Sequence, residues 1–480
     1  MRAAGTPVIL PQSDAPEDLE DHIARAMDSL RDYGVHYLLK NIAEQTGILR
    51  VLKESVPTRW MELLTLSFYL VAGNRPLMYL QDWLEENESY PVGNMSSPRI
   101  SELLSALGQK ERNAFFTGWV AEQVSEEYLA LDITSISSYS RMMNECEWGY
   151  NRDGEALPQL NLCLLFGEKN ELPVYQTGYS GSLKDVSTLG TTVAEMKAIS
   201  GEKRLVLVMD KGFYSEKNVQ TLLNEYGENE FLIAMPFTCN LARELVEGER
   251  RTVDRAANII KTASSPIRGV SRPIDFSGRS LRAHIFYNPE KELADRNELY
   301  EHINHLKETV EGGKVPAAVK QEVEKYLSVE QEGGGKGKPL ITIKQDVIER
   351  ELAVSPWMVI IGNGGLTTQA AYDIYRKKDV VEKGFMKYKN MLGMSRLRVH
   401  DDERARNKNM AAFIALVIVS HIHKIMKQNN MYRRMTMEKL LLTMAKIKII
   451  VINGRHIMRP LTKEQKEILK IFSIPIPDVG

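Results

Sequence analysis

The sequence predicts an α/β fold, a mixed sheet of five strands flanked by helices and preceded by a helical N-terminal region. Two observations lead to this prediction. The first 120 residues carry apolar side chains at helical spacing, whereas from residue 127 onward the pattern changes to short apolar runs separated by polar turns. In chain order, these later runs predict three strands, a helix, a strand, a helix and a strand.

Each predicted element has its own local signal. Strands are predicted over 128–133, 160–166 and 172–179, helices over 186–199 and 215–226, and further strands over 205–209 and 231–235. Three antiparallel strands followed by two helix–strand crossovers are the order of a ribonuclease-H-like sheet. In that topology the first and fourth strands are neighbours.

The length of 480 residues is too great for one compact core and suggests two to four units. We predict five segments, which are a helical N-terminal domain (1–125), a first part of the catalytic core (126–237), an insertion (238–365), a second part of the core (366–430) and a basic helical C-terminal region (431–480). Within the insertion, strands are expected over 281–287 and 357–361. In the N-terminal segment, residues 43–49 have the small-residue-then-Gly turn of a helix-turn-helix, although their acidic surroundings favour a plain helical hairpin.

Charge is distributed unevenly although the net charge is only −1. Residues 1–130 hold 11 Lys/Arg against 19 Asp/Glu, whereas residues 371–460 hold 20 against 7. This polarity suits a protein that lays one end on a polyanion, and a solvated basic helical surface is the alternative interpretation.

Several protein classes are disfavoured by composition. The three cysteines show no short paired spacing, which argues against a disulfide framework and against a zinc site. Residues 1–12 lack the pattern of a signal peptide, and the longest apolar run, 410–419, is shorter than the roughly 20 residues that span a bilayer. We therefore expect a cytoplasmic protein with no membrane partner.

Two aspartates stand where the predicted sheet would bring them together. Asp132 lies near the end of the first strand, and Asp210 ends the fourth. Carboxylates held on a rigid sheet edge can bind two hard cations roughly 3.5–4 Å apart, the arrangement that activates an attacking oxygen and stabilises a leaving one in phosphodiester chemistry. The alternative for Asp210 is an ordinary acid at a helix N-terminus.

A third acid, Glu382, lies on a helix after the insertion. At roughly 100° per residue, Tyr375, Lys378, Glu382 and Lys389 fall on one face of a continuous helix. The face thus carries a phenol, two cations and a carboxylate. A merely solvated face is possible, but the other positions hold mostly charged residues, which favours contact with a charged ligand.

This segment resembles the signature helix of a large group of bacterial insertion-sequence transposases, Tyr-x2-Arg-x3-Glu-x6-Lys. Here it reads Tyr375-x2-Lys378-x3-Glu382-x6-Lys389. The segments around both aspartates resemble the same group: Asp132 with Thr134-Ser135-Ile136-Ser137, and Asp210-Lys211-Gly212-Phe213-Tyr214-Ser215. Two segments between them also resemble it, Leu157-Pro158-Gln159 and Gly178-Tyr179-Ser180-Gly181. The resemblance covers roughly residues 35–425.

The resemblance implies a DNA transposase of the Asp-Asp-Glu type with a ribonuclease-H-like core and a mostly β insertion domain. It implies Asp132, Asp210 and Glu382 as catalytic ligands of two Mg²⁺ ions, for which Mn²⁺ can substitute. The implied partners are double-stranded DNA, both terminal inverted repeats and target, and further copies of the chain in a homodimer or higher multimer. The N-terminal domain would bind the DNA ends or form multimer contacts, and the protein would act at the bacterial nucleoid.

Five residues acquire expected roles in DNA binding from this resemblance. Tyr375, Lys378 and Lys389 are expected to contact DNA phosphates, with Arg376 as a further candidate. Lys378 departs from the signature Arg, so it keeps the charge but loses the bidentate geometry of a guanidinium. Trp357 is a candidate for stacking on a flipped base, although a Trp on an apolar strand is more often a core residue.

Two other functions remain open from the sequence. One is a non-catalytic DNA-binding descendant of a transposase, and the other is a ribonuclease-H-like nuclease that cuts without strand transfer. The presence of all three acids favours the active enzyme.

Overall fold

A computed structural model of the chain describes residues 21, 24, 26–73, 75–123, 128–200, 206–225, 230–263, 265–313, 315–331, 339–452 and 455–478. Residues 1–12, for which no signal peptide is predicted, lie outside these ranges, as do positions 205 and 226 of two predicted elements. All statements below concern the described residues.

The N-terminal part is a helical layer, as predicted. After a two-residue strand, β1 (Arg31–Asp32), come α1 (Gly34–Gln45), α2 (Ile48–Ser55), α3 (Trp60–Ala72), α4 (Leu80–Glu86), α5 (Ser97–Ala106) and α6 (Gln109–Gln123). The turn between α1 and α2 depends on Gly47, whose φ of 80° lies in the left-handed region. A side chain there would also collide with Glu122 of α6, so this turn is built into the helical layer.

The central sheet begins with the five predicted strands. They are β2 (Tyr128–Ser137), β3 (Gln159–Gly167), β4 (Pro173–Ser180), β5 (Val206–Met209) and β6 (Glu230–Ala234), with α7 (Asp185–Ser200) before β5 and α8 (Glu216–Glu225) before β6. Their order in the sheet is β4-β3-β2-β5-β6, with β2, β5 and β6 parallel to one another. The predicted adjacency of the first and fourth strands is confirmed.

The sheet does not stop at five strands. The insertion adds α9 (Asn240–Glu249), β7 (Ile259–Ile260), β8 (Ile267–Phe276), β9 (Arg279–Tyr287), α10 (Pro289–Glu311), α11 (Ala317–Tyr326), β10 (Leu327–Gln331), β11 (Pro339–Ile343), α12 (Gln345–Val354) and β12 (Trp357–Gly362). Strand β12 pairs with β6 and is followed outward by β9, β8 and β7, so the described part of this sheet has nine strands. The prediction of a five-stranded sheet is therefore wrong in its extent.

The insertion also differs from the expected mostly β domain. In its described part, helices hold more residues than strands, and α10 alone has 23. Helices α10, α11 and α12 with the β10–β11 hairpin enclose their own small core, which includes Ile303, Leu306 and Ile348. Half of the insertion thus completes the main sheet, and the other half forms a helical lobe.

After β12 the chain returns to the sheet as helices. These are α13 (Thr368–Lys377), α14 (Asp379–Met386) and the long α15 (Asp402–Gln428), and α14 packs on β2 and β3. By length and composition α15 could cross a membrane, but 78% of its apolar window is buried inside the protein. It packs against α3, α5 and β4, which makes it the central core helix.

The C-terminal region differs from the predicted basic helical segment. Besides α16 (Met437–Met444) and α17 (Lys463–Ile471) it contains a hairpin of β13 (Lys448–Ile452) and β14 (Arg455–Met458), and β13 pairs with β1. The reason is the run of β-branched residues in 447–452, which favours a strand.

Candidate active site

Two aspartates meet at the end of the parallel strand pair β2–β5. In the ladder, Leu131 pairs with Met209, so Asp132 and Asp210 each follow the last paired residue on neighbouring strands. Strands of one sheet lie about 4.8 Å apart. The pairing therefore places both carboxylates at the same point of the sheet edge, as the sequence predicts.

Asp132 is the more enclosed of the two acids. Its Oδ1 accepts a hydrogen bond from the Ile133 backbone N–H at 2.8 Å. Burial raises the pKa of Asp132 to about 6, against the lowering influence of the Lys378 charge and of the Ile133 N–H, and Asp210 raises it further. A bound cation would favour the ionised form of this carboxylate.

Asp210 sits where β5 gives way to a short 3₁₀ turn, Lys211–Phe213. Its carboxylate accepts a hydrogen bond from the Lys211 backbone N–H and so caps that turn. The side chain is 41% exposed, which leaves it accessible for a ligand.

Glu382 reaches this edge from α14. Gly384 lets α14 approach the sheet closely, because a side chain at that position would collide with the ring of Phe166 on β3. The Glu382 side chain is 61% exposed and lies within 3.3 Å of the Lys378 ammonium. The helix is thus anchored by its apolar face while the carboxylate projects outward.

Lys378 lies between the acids, and its side chain is only 7% exposed. Its Nζ is 3.3 Å from Glu382 Oε1 and 3.6 Å from Asp210 Oδ2, so those two oxygens are within about 7 Å of each other. Burial by itself lowers the pKa of Lys378, but the charges of Asp210, Asp132 and Glu382 outweigh burial and raise it. Two of the predicted acids therefore contact this ammonium group, and the charge of the third, Asp132, also acts on it.

Tyr375 lies beside the same cluster. Burial raises the pKa of its phenol well above the usual value, and the charges of Asp210, Glu382 and Asp132 add to the effect. Neighbouring Arg376 is exposed, and its charge acts in the opposite direction on this phenol. The cluster thus gathers a phenol, an ammonium and three carboxylates from two strands and two helices.

Comparison with protein families gives a match to a model described as the transposase DDE domain, over residues 126–418. This span is more than half of the chain. The chain belongs to the transposase DDE domain family. The match begins just before β2 and ends within α15, so it includes all three acids and the insertion between them.

Other comparisons add little to the family match. No curated protein matches the chain. One similar solved structure is described as a cryo-EM structure of the piggyBac transposase synaptic complex with hairpin DNA. It has 11% sequence identity and a TM-score of 0.41, and the alignment covers 80% of this chain and 69% of that one.

The DDE domain has the ligand chemistry for hard divalent cations, because carboxylate oxygens are their preferred protein ligands. In the present side-chain arrangement, no group of three or more described His, Cys, Asp or Glu residues is close enough to hold a metal ion. The Lys378 ammonium lies between two of the acids, Asp210 and Glu382. Three carboxylates have the donor chemistry that a hard divalent cation needs, and in this arrangement two of them contact a lysine of the chain itself.

The segment from Tyr375 to Lys389, predicted as one helical face, is not one continuous helix. Helix α13 ends at Lys377, Lys378 forms the turn, α14 follows, and residues Lys387–Met391 form a π-helical turn. Tyr375, Lys378 and Glu382 still come together, but Lys389 does not join them. Its Nζ donates to both carboxylate oxygens of Asp153, at 2.7 and 2.8 Å.

Trp357 does not present a stacking surface in this DDE domain. It lies on β12, is 7% exposed and packs against the ring of Tyr287 at 5.0 Å. The core position is the ordinary one for a Trp on an apolar strand, and the expectation of base stacking by Trp357 does not fit this placement.

Sequence reasoning missed a long loop near Asp132, and the charge of Arg152 in that loop acts against the burial that raises the pKa of Asp132. The segment between β2 and β3, residues 138–158, is fastened by the ion pairs Glu145–Arg406, Arg152–Asp185, Asp153–Lys389 and Glu155–Arg396. Ser135, three residues after Asp132, donates to the Tyr150 carbonyl at 3.4 Å. The signal available in the sequence was the dense charge of Arg152-Asp153-Gly154-Glu155, whose partners lie far along the chain.

Proposed function

We propose that this member of the family is an active DNA transposase that cleaves the ends of an insertion sequence and transfers them to target DNA. The observation that carries the proposal is that Asp210 and Glu382 contact one ammonium group, although they lie 172 residues apart, while Asp132 lies on the strand beside Asp210. Carboxylates gathered against their mutual repulsion indicate a site built for positive charge.

The three acids would hold two Mg²⁺ ions, or Mn²⁺ in their place. Bound there, such ions lower the pKa of an attacking water or 3′-hydroxyl and stabilise the departing oxygen. Asp132 and Asp210 are fixed by backbone hydrogen bonds at the sheet edge, so they would set the geometry. Glu382, the most exposed of the three, would close the site once the DNA strand is in place.

Lys378 and Tyr375 would orient the phosphate at the scissile bond. Lys378 carries a buried charge between Asp210 and Glu382, and Tyr375 brings a neutral hydroxyl to the same place. An ammonium displaced from the acids remains within reach of a phosphate oxygen, where it makes a single charge-assisted hydrogen bond rather than the bidentate pair of an arginine. Lys389 would join them only after release from Asp153, and exposed Arg376 could contact a more distant phosphate.

The wider biology follows from the same proposal. The Tyr375–Lys378–Glu382 cluster supports membership of the bacterial insertion-sequence group with the Tyr-Arg-Glu-Lys signature, and the strand order supports a ribonuclease-H-like core. The protein would act at the nucleoid in the bacterial cytoplasm. It would bind terminal inverted repeats and target DNA, and it would pair two DNA ends as a homodimer or higher multimer.

The test is cleavage of labelled duplex carrying the inverted repeats that flank the gene. With Mg²⁺ we expect nicking at the repeat ends by the purified chain, and joining of those ends to a target plasmid. Asp210→Asn and Glu382→Gln are expected to abolish both steps, whereas Asp373→Asn, at an exposed position on α13, serves as the matched control and is expected to leave them intact.

Each alternative outcome contradicts part of the proposal. Specific binding of the repeats without nicking would indicate a non-catalytic DNA-binding protein. Nicking without joining would indicate a nuclease. Full cleavage by Asp210→Asn would refute the assignment of the site.

A further inference from the structure

A cavity of about 870 Å³ lies between the N-terminal helices and the chain that follows the signature segment. Its walls come from residues 70 and 75–78, from α5, and from residues between 389 and 408. The volume falls in the range of roughly 300–1,000 Å³ that is usual for small-molecule sites. No part of it is formed by Asp132, Asp210 or Glu382.

Positive charge dominates the lining of this cavity. None of the described residues that line it is acidic, whereas five are basic. The five are Arg75, Lys389, Arg398, Arg404 and Lys408. Lys389 is neutralised by Asp153 and Arg404 by Asp401, which leaves three cations facing the cavity without an ion pair among the described residues.

Lys408 is the most informative of these cations. It is 4% exposed, and its Nζ donates to the Leu397 carbonyl at 2.5 Å. No carboxylate of the described residues lies within ion-pair distance of it. Burial, and then the charge of Arg398, lower the pKa of Lys408 to about 8, so the folded chain holds a buried cation that lacks a counter-ion. A bound anion would provide one.

Hydroxyl groups and apolar side chains form other parts of the lining. Ser97 and Ser101, near the beginning of α5, line the cavity, and a serine hydroxyl can donate a hydrogen bond to a phosphate oxygen. The apolar part of the lining includes Leu70, Ile100 and Met394.

We propose that this cavity binds a nucleotide, with its phosphate on Lys408 and Arg398 and its base against the apolar wall. A bare anion would need only the cationic side, whereas the volume and the apolar wall together suit a phosphate attached to a ring. The identity of the nucleotide as one residue of a DNA strand rests on the proposed function. Lys389 lines the cavity and lies seven residues after Glu382, so the segment that carries the third acid also contributes to the cavity wall.

The test is calorimetric titration of the full chain with deoxyadenosine monophosphate, in the absence of divalent metal. We expect binding of this nucleotide, and we expect deoxyadenosine, which lacks the phosphate, to bind at least about tenfold more weakly because the charge-assisted hydrogen bonds are lost. Lys408→Met and Arg398→Gln should each reduce nucleotide affinity by roughly tenfold or more. The control is Arg433→Gln, at an exposed position beyond the far end of α15, and it should bind like the wild type.

A competition experiment distinguishes the two possible sources of the phosphate, a DNA strand and a free nucleotide. Displacement of the nucleotide by a short single-stranded oligonucleotide identifies a DNA strand as the occupant, and failure to displace it identifies a free nucleotide, which refutes the strand assignment. Two results would refute nucleotide binding in the cavity. One is no binding by the wild type, and the other is equal binding by wild type, Lys408→Met and Arg398→Gln. Arg398 is exposed, so its variant answers the question even if Lys408→Met folds poorly.

The cavity and the active site can fail separately. Because this titration needs no metal and no cleavage, nucleotide binding by a chain that never nicks DNA would leave the cavity standing and refute the proposed function. Metal-dependent nicking by a chain that binds no nucleotide would support the proposed function and refute nucleotide binding in the cavity.

Discussion

Two buried lysines thirty residues apart show how differently this chain treats positive charge. Lys378 and Lys408 are almost equally hidden, at 6% and 4% exposure. Lys378 forms ion pairs with Asp210 and Glu382, and their charges and that of Asp132 raise its pKa in spite of burial. Burial and Arg398 instead lower the pKa of Lys408 to about 8.

The difference teaches that burial alone does not determine what a buried ammonium is for. At the sheet edge the acids outnumber the lysine, so the region has an excess of negative charge and suits added cations. In the cavity the cations have no acid to balance them, so that region suits an added anion. Both regions would serve the proposed transposase, because the acidic sheet edge would bind metal ions and the basic cavity would bind a nucleotide of the DNA strand.

The largest expected effect is at the acidic edge. Removing one carboxylate, as in Asp132→Ala or Asp210→Asn, should lower the rate of DNA cleavage by at least about a thousandfold, because metal ions contribute several kcal/mol to stabilising the transition state. The measurement is single-turnover nicking with Mg²⁺. A rate within about tenfold of wild type would contradict cation binding at the acidic edge, because the acids would then have only a structural role.

The next effect concerns Lys408 and pH. Its pKa is about 8 in the folded chain and 10.5 in the unfolded chain, so the charged form opposes folding below pH 8 and this penalty disappears as the pH rises towards 10.5. Relative to Lys408→Met, wild type should therefore gain up to about 3 kcal/mol of unfolding free energy between pH 7 and pH 10. Urea unfolding of both proteins at several pH values measures it. A constant difference would show that a counter-ion already neutralises Lys408.

Lys378, unlike Lys408, should stabilise the folded chain at pH 7. Lys378→Met leaves three carboxylates without their cation and should lower the unfolding free energy at pH 7 by about 1–2 kcal/mol, less than for a fully buried pair because Asp210 and Glu382 are partly exposed. Saturating Mg²⁺ should restore more stability to this variant than to wild type. Equal stabilisation of both by Mg²⁺ would contradict a shared cation position.

The smallest effect tests the link between the two regions. Asp153→Asn should release Lys389, which lines the cavity, at a stability change of less than about 1 kcal/mol for a partly exposed pair. Affinity for duplex DNA should rise a few-fold, with a steeper dependence on salt because one more cation reaches a phosphate. Fluorescence anisotropy at 50 and 200 mM salt is the measurement. Unchanged affinity with an unchanged salt slope would show that Lys389 does not face the DNA.

Much of the fold was predictable because its signals are local. Apolar runs such as 160–166 and 231–235 mark buried strands wherever they occur, and the chain order then fixed β2 beside β5 and hence Asp132 beside Asp210. The hairpin at 448–458 had an equally local signal, the β-branched residues of 447–452, but the region was predicted as helical and basic.

The rest depended on contacts between distant residues. The continuation of the sheet into β12 and β9 requires the insertion to fold back, and no local pattern indicates that. The helix break at Lys378 lies where this side chain is buried near acids supplied by other elements, which the local sequence does not indicate. Lys389 is separated from its partner Asp153 by 236 residues, and the cavity joins three distant segments, so neither was visible in the sequence.

The central claim is that the carboxylates of Asp132, Asp210 and Glu382 form one divalent-cation site. Titration of the chain with Mn²⁺, followed by electron paramagnetic resonance of the free ion, tests it most directly. We predict saturable binding by wild type and by Asp373→Asn, and a loss of affinity of at least about tenfold in Asp132→Ala, Asp210→Asn and Glu382→Gln. Identical Mn²⁺ binding by all five proteins would contradict it.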